Sequence, residues 1–124
     1  MTISRIVAQL RTTDLDASID FYTKQLGLTL EFRYRDFYAG LCAGDQAFHL
    51  KHVDERDPSI DDVDEGGHFH LYFRTDDVAA VAARLKANGV ALERDVHDTE
   101  WSTREIVVKD DQGHTLYFGQ PLAQ

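Results

Sequence analysis

Gly67-His68-Phe69-His70-Leu71-Tyr72-Phe73 alternates strictly between two kinds of side chain. Successive residues of a strand point to opposite faces, so the alternation predicts a strand over His68–Arg74. Phe69, Leu71 and Phe73 fall on one side, a core face. His68, His70 and Tyr72 fall on the other, and imidazoles and phenols can bind a metal or hydrogen-bond a ligand.

The pattern after this strand has a counterpart before it. Asp76 or Asp77 caps a helix with the apolar stripe Val78, Val81 and Leu85, and Gly89 ends it. Strands follow over Val90–Arg94, Arg104–Lys109 and His114–Gly119, the last two joined by the turn Asp110-Asp111-Gln112-Gly113. Upstream, a strand over Arg5–Arg11 leads to a helix capped by Asp14, striped by Ile19, Tyr22 and Leu26 and closed by Gly27. Strands over Leu28–Tyr34, Phe37–Cys42 and Ala47–Val53 complete that half. Asp76 and Gly89 stand 62 residues after Asp14 and Gly27, so the chain contains an internal repeat. One helix leaves a sheet face uncovered, so the halves are expected to pack together or across a dimer. The predicted class is α+β, one domain over 1–124, with βαβββ modules at 1–53 and 68–124. Residues 54–67 carry Asp54, Glu55, Asp57, Asp61, Asp62, Asp64 and Glu65 against Arg56 alone, and are expected as a solvated acidic linker. They lack the Asp and Gly spacing of a calcium loop.

The 124 residues, 43% hydrophobic and 28% charged, fit a soluble globular domain. No stretch reaches the roughly 18 to 20 apolar residues of a membrane span, and Met1–Ile6 lacks the basic and apolar regions of a signal peptide. A cytoplasmic location is expected, with no membrane partner. Cys42 is the single cysteine, read as a buried or half-buried thiol without a bridge in the chain. A net charge of -9 opposes nucleic acid and favours a cationic small molecule. Phosphate-cradling glycine loops and nucleophile elbows are missing.

Three stretches together resemble the vicinal oxygen chelate superfamily of glyoxalases, extradiol dioxygenases and bleomycin-resistance proteins. They are Asp14-Leu15-Asp16-Ala17-Ser18-Ile19-Asp20-Phe21-Tyr22 running to Gly27, His70-Leu71-Tyr72-Phe73 running to Val78, and Asp110 to Pro121. The resemblance implies paired modules whose sheets curl around a cavity, helices outside, often as a homodimer. Ile6, Ala8, Leu10, Phe48, Leu50, Phe69, Leu71, Phe73, Leu116 and Phe118 would then lie beneath the helices. Val7, Gln9, His49, Lys51, His68, His70, Tyr72, Thr115 and Tyr117 would face the cavity.

The resemblance places metal ligands at the positions of Val7, His49, His70 and Tyr117. Only two of these are customary ligands, since valine cannot ligate and a phenol is an uncommon partner for zinc, nickel or iron. Gln9 and His68 lie one pleat away, about 6.6 Å along a strand, against metal bonds of about 2.0 to 2.3 Å. A displaced site built on His49 and His70 would need bulged strands. No cofactor is therefore expected, and the alternative is a divalent zinc, nickel or iron ion held by His49 and His70.

Metal-free members of the family bind antibiotics, and Trp101, Arg104 and Glu105 match a Trp-Gly and Arg-Glu region of such proteins, with Ser102 replacing the glycine. The leading expectation is a homodimer binding a small cationic or aromatic ligand through His49, His70, Tyr117, Trp101, Gln9, His68 and Arg104. The alternative is a metal-dependent lyase or dioxygenase using His49 and His70. A third reading is a metal-free acid-base enzyme with His49 or His70 as base and Tyr117 as donor.

Overall fold

The computed structural model describes residues 2–122. The chain divides into two compact units, residues 1–57 and 58–124. In the first, β1 (Ala8–Thr12), α1 (Leu15–Asp20), β2 (Thr29–Tyr34), β3 (Tyr38–Ala43) and β4 (Gln46–His52) build a four-stranded mixed sheet ordered β1-β4-β3-β2. The second contains α2 (Ser59–Asp64), β5 (Leu71–Arg74), α3 (Val78–Ala87), β6 (Leu92–Asp98), β7 (Thr103–Lys109) and β8 (Thr115–Pro121), with the sheet ordered β5-β8-β7-β6. In both sheets one parallel pair joins two antiparallel ones. The α+β class and the repeated βαβββ order are as the sequence predicts.

Each unit buries one sheet face under its helix. Leu15, Ile19 and Tyr22 pack with Ala39, Leu41, Phe48 and Leu50, and Tyr22 meets Phe48 edge to face at 5.0 Å. Val78, Ala82 and Leu85 play that part in the second unit with Ile106, Val108, Leu116 and Phe118. Ala82 is buried where Val81 was expected and Val81 is half-buried, because the helix turns its i, i+4 row inward.

The helix caps show where the repeat is exact. Thr12 Oγ1 accepts from Asp14 N and Thr75 Oγ1 from Asp77 N, while Asp14 and Asp77 accept from the N–H groups of Ala17 and Ala80. Asp77, not Asp76, is thus the cap. Since Gly27 and Gly89 both close their helices at positive φ, the first helix holds one residue more than the second. Phe21–Gln25 absorbs it as a π-turn in which Leu26 N donates to Phe21 O at 2.9 Å.

Four expectations need correction. The first strand begins at Ala8, so Ile6 is 97% exposed instead of lying beneath α1. The acidic segment 54–67 is not simply a linker: Pro58 stands at the N-cap of α2, Asp61 and Asp62 occupy the first turn, where the helix dipole favours anions, and Ile60 is 2% exposed. The fifth strand begins at Leu71, not His68. Phe69 has φ 103 and is 81% exposed, so the left-handed backbone there breaks the alternation before the strand starts. The sixth strand also shifts, from the expected Val90–Arg94 to Leu92–Asp98.

Candidate functional site

The sheet faces turned away from α1 and α3 carry the polar side chains. In the first unit, Gln9, His49, Gly40 and Phe32 form one row across the sheet, with Lys51 and Tyr38 in the next. A register shift between Leu30 and Phe32 makes Glu31 a bulge, which brings its carboxylate alongside Phe32 to the same face. Gly40 makes room for both: a Cβ there would lie 2.6 Å from the Phe32 ring and 2.7 Å from Glu31 Oε1.

These side chains hydrogen-bond one another in a line. Gln9 Nε2 donates to Tyr38 OH at 3.0 Å, and Tyr38 OH meets His49 Nδ1 at 2.9 Å. A phenol has one proton, so the assignment that satisfies all three groups has Tyr38 donating to Nδ1, with the ring proton on Nε2. Nε2 faces Glu31 Oε1 at 3.9 Å. Phe32 stacks on Tyr38 at 6.1 Å and meets His49 edge-on at 5.3 Å. Burial, with the Glu31 charge second, pushes the Cys42 thiol up from its ordinary range, which suppresses the thiolate.

In the second unit the corresponding face holds a cleft of about 330 Å³. Val63 and Asp64 of α2 form one wall, and His70, Glu93, Lys109 and Tyr117 are among the others. The His70 and Tyr117 rings lie 4.8 Å apart, and Tyr72 stacks on Tyr117 at 6.5 Å. Lys109 Nζ bonds Asp64 Oδ1 at 2.8 Å and lies 3.8 Å from Glu93 Oε1. The Asp64 carboxylate, with Glu93 and Asp61 adding their field, holds the Lys109 ammonium above its ordinary range despite partial burial. Thr115, also on the cleft wall, has a buried hydroxyl oxygen with no partner among the described residues.

Beside the cleft, Glu105 is 4% exposed, and its Oε2 accepts from Tyr72 OH at 2.8 Å and Thr103 Oγ1 at 2.9 Å. Burial and then the bond to Glu105 raise the Tyr72 phenol above its ordinary value of 10.0. Tyr72 reaches the carboxylate across Gly119, where any Cβ would collide with its hydroxyl.

Of the residues expected at the site, Gln9 and His49 come together in the first unit, and His70 and Tyr117 in the second. His68 is exposed and lies ahead of β5. Trp101, 70% exposed, sits in the β6–β7 turn, and Arg104 is engaged by Asp98 at 2.7 and 3.2 Å. None of these three is among the residues lining the cleft. Glu31, Asp64, Glu93 and Lys109 were missed as site residues. For Lys109 the signal was available: Ile106 and Val108 are core, so Glu105, Val107 and Lys109 must take the opposite face.

A metal fits the donor set poorly. Val7 offers no ligating atom and Tyr117 offers a phenol, which leaves only His49 and His70 as customary donors among the four positions. Among the described residues no three His, Cys, Asp or Glu side chains form a group able to hold an ion. No helix among them is long and apolar enough to cross a membrane.

The chain is similar to known proteins in sequence and in fold. A protein of unassigned function from Mycolicibacterium smegmatis is 34% identical over 114 residues, covering 91% of this chain and 90% of its own. A probable lactoylglutathione lyase of Vibrio cholerae is 28% identical over 116 residues, 86% of this chain and 83% of that one. Among solved structures, TnmS3, an antibiotic binding protein from Streptomyces sp. CB03234, is 28% identical with a TM-score of 0.70, each chain covered to 98%. The family model of the Glyoxalase/Bleomycin resistance protein/Dioxygenase superfamily matches residues 2–118. The match spans nearly the whole chain, and the chain belongs to that superfamily.

Proposed function

We propose that this chain binds a small aromatic cation in the cleft of its second unit without a metal centre, as a binding protein and not as a lyase or dioxygenase. One observation carries the reading: a cleft of about 330 Å³ joins two aromatic side chains, His70 and Tyr117, to two carboxylates, Asp64 and Glu93. Clefts of roughly 300 Å³ and above accommodate small organic ligands. A ring face attracts a cation with about 0.5 to 2 kcal/mol, and the net charge of -9 draws cations toward the protein. The likeness to an antibiotic binding protein agrees with this reading. In it the chain works in the cytoplasm as a homodimer, and the exposed Phe32, Tyr34 and Phe37 of the first unit supply apolar surface for association.

Calorimetric titration of the chelator-stripped protein with benzamidine and with neutral benzamide tests it. Benzamidine is expected to bind at least about tenfold more tightly, the equivalent of about 1.4 kcal/mol, and His70→Ala to weaken it without unfolding the chain. Equal binding of the two probes, or binding that returns only with added zinc, nickel or iron, would reverse the reading.

A further inference from the structure

We propose that Lys109 is a resident counter-ion of the cleft, which an incoming ligand cation displaces from Asp64 and Glu93. This rests on the reading of the cleft as a cation site and adds the device by which part of that site's negative charge is offset while it is empty.

The geometry gives the reason. Lys109 Nζ bonds Asp64 at 2.8 Å and faces Glu93 at 3.8 Å, in the same cleft that holds His70 and Tyr117. Two carboxylates lining one cleft repel each other and attract any mobile cation, so an ammonium on the same chain lowers the energy of the empty cleft. Lys109 projects from β7, a rigid sheet strand, on a flexible four-carbon stem. Its head can therefore leave Asp64 while its backbone stays in the β7–β8 ladder. Its side chain is 31% exposed, so the released ammonium has water within reach. Asp64 belongs to the short helix α2, whose own attachment rests on buried Ile60, so the carboxylate stays in position after the lysine departs.

A ligand able to take the place of Lys109 needs a compact, planar cation next to an aromatic body. An amidinium or guanidinium on an aryl group meets that description, since it can bond two carboxylates through fixed N–H donors while its ring faces His70 and Tyr117. Lys109 thereby acts as an internal competitor, setting the affinity below what the cleft would otherwise reach. Neutral ligands gain nothing from the exchange and leave the lysine paired.

The test is the affinity of the full chain for benzamidine in the wild type, Lys109→Met, and the triple variant Lys109→Met/Asp64→Asn/Glu93→Gln, at low and high salt. Lys109→Met is expected to bind about two- to fivefold more tightly, the range of partly exposed ion pairs. That gain should shrink with salt and vanish in the triple variant. A weaker or unchanged Lys109→Met, with wild-type binding intact, would overturn the counter-ion role and leave the cleft reading standing. No binding by any of the three would overturn the cleft reading itself. A thermal melt accompanies each titration, and if Lys109→Met fails to fold, Lys109→Gln replaces it with the same expected sign.

Discussion

The two units place different chemistry on two sheets of the same strand order. By register, Gln9 and His49 of the first unit correspond to Tyr72 and Tyr117 of the second, and Tyr38 to Glu105. In the first, Gln9, Tyr38 and His49 satisfy one another and the face is closed as a hydrogen-bonded line. In the second, Tyr72 and Glu105 repeat that link, but His70, Lys109 and Thr115 border a cleft. The difference comes from α2, which has no counterpart in the first unit and stands over part of the second sheet's polar face. A duplicated scaffold thus yields one self-satisfied surface and one open to a ligand, and the acidic segment between the repeats creates the asymmetry.

Removing the anchor of α2 gives the largest expected effect. Ile60→Ala should cost about 2 to 4 kcal/mol in urea denaturation and abolish benzamidine binding along with the cleft wall. Retained binding would separate the cleft from α2. Next comes Gly119→Ala, whose methyl would drive Tyr72 off Glu105 and leave a buried carboxylate with one donor fewer. It should cost about 2 kcal/mol, and the cost should shrink in a Tyr72→Ala background, where the colliding phenol is gone. An equal cost in both backgrounds would assign the effect to the backbone of β8.

The first unit should respond more mildly. Tyr38→Phe removes the hydroxyl joining Gln9 to His49 and should cost about 1 kcal/mol in denaturation, with benzamidine affinity unchanged. A large loss of affinity would show that this face takes part in binding. The smallest effect is a pH dependence in the second unit. With the Tyr72 phenol raised in the folded state, the unfolded chain ionises first, so the stability it contributes is complete below about pH 10 and declines as pH rises further. Absorbance titration should show one phenol ionising late, and Tyr72→Phe should remove it.

Much of the fold was legible in the sequence because caps and periodicity are local. Asp14, Gly27, the Asp76-Asp77 pair and Gly89 marked helix ends through backbone needs that few residues meet, and Leu71, Phe73, Leu116 and Phe118 marked a core face by alternation. The failures occurred where local rules compete. At Phe69 alternation continued in the sequence while the backbone had already turned to φ 103. In α2 a dense acidic run masked Ile60 and Val63, three apart on one helical face. The site was half legible for a related reason. Alternation assigned His49, His70 and Tyr117 to polar faces, but pairing decides which groups meet, and it joined His49 to Tyr38 and Lys109 to Asp64, 45 residues away.

The most direct test of the central claim is a residue-resolved amide NMR titration of the metal-stripped chain with benzamidine. Shifts concentrated at His70, Lys109, Thr115 and Tyr117, with Gln9, Tyr38 and His49 unmoved, are the predicted result. Shifts centred on Tyr38 and His49, or a response that arises only after zinc, nickel or iron is added back, would contradict it.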